Sequence, residues 1–154
     1  MPDTYHIAQI NIARMKAPLD DPLMAEFIEN IDRINQLGES APGFVWRLKG
    51  ENDNATAIRI FEDDALIINM SVWTDVEALK AFTYDTAHRY FVKHRKRWFS
   101  HMGDAYYALW WIPAGTYPTP AEAKARLEHL RAHGPTPHAF TFPKAFAPED
   151  AATP

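Results

Sequence analysis

This sequence predicts an α+β fold of order βαββαβ, the split-βαβ or ferredoxin-like arrangement. Three observations predict it. Four short runs, 5–13, 43–49, 66–73 and 105–112, carry the two-residue period or the β-branched and aromatic composition of strands. Two longer runs with helical spacing follow the first and the third of them. The join within Leu66 to Met102 runs LIINMSVW straight into TDVEALKAFTYDTAHRYFVKHRKRWFSHM, and a helix placed there must fold back over its own strand to bury its apolar stripe.

In strand one, YHIAQINIA, Ile7, Gln9, Asn11 and Ala13 face one way and His6, Ala8, Ile10 and Ile12 the other. Amides at such positions call for a partner, a cleft or solvent, because burying one unpaired costs about 1–3 kcal/mol. Asp21 and Pro22 suit the N-cap and first position of helix one. Leu23, Phe27, Ile31 and Ile34 supply its stripe and Gly38 its expected C′ residue, for a span of 22–37. Strand two, GFVWRLK, is expected to hold Phe44, Trp46 and Leu48 on one face. The polar stretch 50–65 reads as a long connection with a short strand at 57–61. Thr74 and Glu77 form a capping box for helix two, expected over 75–101. Strand four, AYYALWWI, is aromatic-rich. Pro113-Ala114-Gly115 breaks the chain, and Thr119-Pro120-Ala121-Glu122 opens a third helix over 120–133, with Ala123, Leu127 and Leu130 as its stripe and Gly134 as its end. A Pro-rich arm then packs its Phe side chains on the body as far as Phe146, and the last residues are expected to lack fixed structure. Residues 1–113 thus form the ferredoxin-like domain, and 114–154 add a C-terminal helix and an extended tail packed on the same domain.

At 154 residues the chain is long enough for one core. It has no cysteine, which removes disulfides, thiolate metal sites and cysteine nucleophiles. Its net charge of −4 argues against nucleic acid as a partner. No apolar run is long enough to span a membrane, and the first residues lack the pattern of a secretory signal, so a cytoplasmic protein is expected.

Helix two concentrates the candidate chemistry. Ala87, Phe91, His94 and Trp98 share one face, while His88 lies on the neighbouring face with Tyr84 and Arg95. Histidine can act as acid, base or metal ligand near neutral pH. For either one alone the structural or surface reading comes first, since no second catalytic group is fixed by spacing. His129 and His133 have metal-binding spacing, but Leu130 stands where an H-E-x-x-H motif needs its glutamate. No phosphate-binding loop or nucleophile elbow is present.

Strand three places Leu66, Ile68, Met70 and Val72 on one side, and Ile67 and Trp73 on the other. Two helices cover one sheet face only. A second copy of the sheet is the expected cover for the other, hence a homodimer.

The unit SVWTDVEALKAFTYDTAHRYF resembles the strand–Trp–capped-helix signature of the dimeric α/β-barrel superfamily, which includes antibiotic-biosynthesis and heme-degrading monooxygenases. HIAQINIARMKAPLDDPLMAEF, PGFVWRL, NMSVW, LWWIPAG and RAHGPTPHAFTF together resemble the DUF3291 family within it. The resemblance implies a homodimeric α/β barrel with a small-molecule pocket between sheet and helices in each subunit. In heme-degrading members the site combines a strand-one Asn, a helix-two Trp and a ligating His. Asn11 matches the first, Phe82 stands at the second, and Val92 at the third, with His88 and His94 on either side. His88 matches the histidine common in cofactor-free members.

Three readings stay open. The first is a cofactor-free oxygenase, cyclase or isomerase, with His88 and Asn11 catalytic and Gln9, Trp73, Tyr84, Phe91 and Arg95 binding substrate. The second is a heme-binding or heme-degrading protein using His94 or His88. The third is a non-catalytic small-molecule-binding dimer.

Overall fold

The computed structural model describes residues 4–49, 58, 61–63, 65–87, 96–100 and 105–152. The expected order is present. β1 (Tyr5–Met15) leads through a 3-10 turn, Pro22–Met24, into α1 (Ala25–Glu39). β2 (Phe44–Arg47), β3 (Leu66–Trp73) and α2 (Val76–Phe82) follow, and Thr83–Ala87 extends α2 as a π-turn. A two-residue β4 (Phe99–Ser100) precedes β5 (Tyr107–Pro113), α3 (Pro120–His133) and a final turn, α4 (Pro148–Ala152).

The sheet is antiparallel, ordered β2-β3-β1, with β5 and the short β4 both pairing with β1. This is the ferredoxin-like arrangement with β1 and β3 central. β1 pairs with β3 in continuous register from Ile7↔Trp73 to Arg14↔Leu66, and with β5 from Tyr5↔Pro113 to Asn11↔Tyr107.

Both sheet faces are covered within one chain. On the first lie Ile7, Gln9 and Asn11 of β1, Asn69, Ser71 and Trp73 of β3, and Tyr107 and Leu109 of β5, under α1 and α2. On the second, Ala8, Ile10, Ile12, Met70, Val72 and Trp110 form one buried cluster with Ala123, Leu127 and Leu130 of α3 and with Ala139. Each fully buried leucine there contributes about 1.5–3 kcal/mol. The second face is therefore covered by α3, which supplies inside the chain the cover that the strand faces were expected to find in a second sheet.

Several local expectations are corrected. Asp75, not Thr74, caps α2, its carboxylate accepting from Ala78 N at 2.7 Å. Asp21 caps the 3-10 turn, and α1 proper begins at Ala25. Gly38 is not a C′ residue. It is buried inside α1, where a Cβ would stand 3.2 Å from Phe82 Cζ, so the missing side chain makes room for that ring. The left-handed position comes later, at Gly43 with φ +86°.

Helix two does not reach 101, because Phe99–Ser100 is already strand. β5 leaves β1 at Asn11, and β4 supplies partners for Arg14 and Met15 beyond it. In β2 a bulge between Phe44 and Trp46 breaks the alternation. Phe44 packs edge-on against Trp73, with centroids 5.5 Å apart, while Trp46 and Leu48 join the cluster under α3. Of the strand expected at 57–61 only residues 58 and 61 are among those described, and neither lies in a strand. α4 forms where no fixed structure was expected, with Ala147 N donating to the Asp150 carboxylate.

Candidate functional site

The first sheet face carries a polar floor built by strand register. Asn69, Asn11 and Tyr107 lie side by side across β3, β1 and β5, and Ser71, Gln9 and Leu109 form the next row. Their polar groups interlock. Gln9 Nε2 donates to Asn69 Oδ1 at 2.8 Å and to Ser71 Oγ at 2.7 Å. Asn11 Nδ2 donates to Gln9 Oε1 at 3.0 Å and to Asn69 Oδ1 at 3.2 Å. Trp73 Nε1, which can only donate, also gives its proton to Ser71 Oγ, at 2.8 Å.

Saturation divides these residues into two groups. Gln9 is 6% exposed and both its amide hydrogens are used, so it organises the floor. Asn11 Oδ1 and Asn69 Nδ2 have no hydrogen-bond partner among the described residues. They leave one acceptor and one donor for a ligand on residues that line the cavity.

Above this floor is a cavity of about 330 Å³, large enough for a small organic ligand. Phe27, Ile31 and Ile34 of α1 form one wall at helical spacing, and Leu79 and Phe82 of α2 another. The π-turn after α2 brings Thr83 and Tyr84 into the lining, and Thr83 Oγ1 donates back to Leu79 O at 2.8 Å. π-turns inside helices recur at functional sites. Phe142, from the chain beyond α3, lines the cavity and packs against Tyr84 and Tyr107, 5.7 Å from each ring. Burial pushes the Tyr107 phenol above its ordinary pKa, against the lowering pull of Phe142 N–H, which donates to its hydroxyl at 3.2 Å. Tyr107 therefore stays protonated at neutral pH.

Of the residues expected at a site, Asn11, Gln9 and Tyr84 line this cavity. Trp73 lies beside it, 1% exposed, stacked on Phe82 at 5.1 Å and holding Ser71. His88, Phe91, His94 and Arg95 lie outside the described residues. Asn69 and Ser71 were missed, although the alternation that puts Ile67 and Trp73 on this face puts them there too.

Among the described residues no group of His, Asp and Glu side chains is arranged to hold a metal ion. His129 and His133, the pair with metal spacing, pack with tilted rings 4.4 Å apart, and His138 packs on His129 at 4.5 Å, with Arg126 Nη1 2.9 Å from His138 Nδ1. No described helix is long and apolar enough to cross a membrane.

The family model for DUF3291, a domain of unknown function, matches residues 6–154. No curated protein matches the chain. Among solved structures the chain is similar to SnoaB, a cofactor-independent oxygenase from Streptomyces nogalater, at 16% identity over 75% of this chain and 97% of that one, TM-score 0.49. It is similar to NE2512, a protein of unknown function from Nitrosomonas europaea, at 8% identity over 76% and 96%, TM-score 0.49. A candidate antibiotic biosynthesis monooxygenase from Chloroflexus aurantiacus J-10-fl is 16% identical over 73% and 97%, TM-score 0.44.

Proposed function

We propose that this chain, which belongs to the DUF3291 family, is an enzyme acting on a small organic molecule in the cavity between sheet and helices, without a resident cofactor, as an oxygenase, cyclase or isomerase. One observation carries the reading: an interlocked polar floor, with an amide donor and an amide acceptor left over, under a largely apolar cavity of about 330 Å³. Unpaired amide groups in such a place cost about 1–3 kcal/mol each unless water or a ligand meets them.

The three reaction types share a step this floor suits, removal of a proton from carbon next to a carbonyl. Asn69 Nδ2 would donate to the carbonyl oxygen and favour the enolate. Asn11 would hold a neighbouring hydroxyl, and His88 would accept the proton. Gln9, Trp73, Tyr84, Phe91 and Arg95 complete the proposed site, with Gln9 and Trp73 acting through the residues they position.

The heme reading is weaker. The described lining holds no histidine for iron and no cation for heme's two carboxylates, so it rests on His94 or His88 alone. A homodimer in the cytoplasm is part of the proposal. With the second sheet face occupied by α3, a dimer would use another surface.

The test is native mass spectrometry of the purified protein for co-purifying ligands, followed by His88→Ala, Asn11→Ala and Asn69→Ala. Loss of ligand with little change in melting temperature supports the site. Gln9→Leu, by contrast, should lower stability by about 1–3 kcal/mol, because it strips partners from three side chains at once. Loss of stability in all four variants, with no ligand ever detected, would make these residues structural.

A further inference from the structure

We infer that Phe142 sets the length of ligand the cavity accepts. The inference rests on the cavity being a ligand site, and it concerns a residue outside the βαββαβ unit.

Phe142 is the one cavity-lining residue among those described after β5. Its ring lines the cavity packed between Tyr84 of the π-turn and Tyr107 of β5, and we place the end wall there. Its backbone is held on both sides independently of that ring. Before it, Phe140 and Leu109 exchange two backbone hydrogen bonds, at 2.8 and 2.9 Å, and Phe140 is fully buried. After it, Trp111 Nε1 donates to Phe146 O at 2.8 Å, and Phe146 packs on Phe140 at 5.7 Å. Phe142 N–H itself is held by the Tyr107 hydroxyl at 3.2 Å.

None of these bonds uses the Phe142 side chain. Shortening it therefore removes the end wall while the segment carrying it stays in place. The segment is a fixed frame, and its one inward ring is the gauge.

A ladder of 2-naphthyl n-alkyl ethers, methyl to octyl, reads this directly through naphthyl fluorescence. In the unmodified protein, affinity should rise about fourfold per methylene while the chain is being buried, then level off where it meets the Phe142 ring. In Phe142→Ala the rise should continue for roughly three further methylenes, the reach of the lost phenyl ring at about 1.5 Å per bond. Phe142→Leu should extend it by roughly half as much, and carries the same test should the alanine variant fail to fold. If the ethers bind and both proteins level off at the same length, the cavity reading stands and the role of Phe142 is overturned. If no ether binds either protein, both fall.

Discussion

Gly43→Ala is the sharpest test of how the first sheet face is assembled. Gly43 has φ +86°, and a Cβ on it would stand 2.4 Å from Ala78 Cβ and 2.8 Å from Thr74 Oγ1. Ala78 has no rotamer to retreat into, and Thr74 N donates to Gly43 O at 2.8 Å, so the chains cannot part without losing that bond. The left-handed conformation costs an L-residue about 1–2 kcal/mol, and overpacking adds about 1–3. Together they predict a loss of about 2–5 kcal/mol, which for a chain of this size lowers the melting temperature by about 4–20 °C. Gly115 is the internal control. Its φ is +88°, but no atom lies within 4 Å of its Cβ position, so Gly115→Ala should show the conformational part alone, about 1–2 kcal/mol. Urea unfolding followed by far-ultraviolet circular dichroism measures both. Equal losses in the two variants would refute the claim that close approach of α2 to the start of β2 makes Gly43 necessary.

Two further predictions concern charge and assembly. Burial, then the charges of His133 and Arg126, hold His129 below its ordinary pKa of 6.5. Burial, then Arg126 and His129, lower His138 likewise, with Glu122 opposing. The unfolded chain thus binds protons that the folded chain refuses. Stability should be complete above about pH 6.5 and fall as pH drops below it. Melting curves from pH 8 to 5 should show that loss, and His129→Phe should flatten it; an unchanged slope would place the titration elsewhere. Multi-angle light scattering at micromolar concentration should give twice 17.6 kDa if the proposed homodimer forms, and a mass of one chain would end that part of the proposal.

What the sequence revealed and what it concealed divide along a physical line. The alternation of β1 assigned Gln9 and Asn11 to one face correctly, because a two-residue period leaves no choice. The same rule held Asn69 and Ser71 in plain view, since they alternate with Ile68, Met70 and Val72. α3 was legible to the residue at both ends, from Thr119 and Gly134, because caps act locally. Its docking surface was not legible, because a stripe of Ala123, Leu127 and Leu130 suits any apolar plane. The β2 bulge and the early end of helix two also depend on long-range pairing, with Trp73 and with Met15, which no local pattern encodes. The cavity between Asn11 and Phe142 is made by residues far apart in the chain and has no signature in either segment.

The cover that α3 gives the second sheet face has a consequence in time. During synthesis β1, β3 and β5 emerge from the ribosome before 114–133 do, and their apolar face has no lid until those residues follow. At about 5–20 residues per second those 20 positions take about 1–4 s, longer than the micro- to millisecond collapse open to the preceding sheet. During that interval Ile10, Met70, Val72 and Trp110 are available to any chaperone or neighbouring nascent chain. A stop introduced after Pro113 would make that transient surface permanent, and the truncated product should partition into the insoluble fraction while the full chain does not.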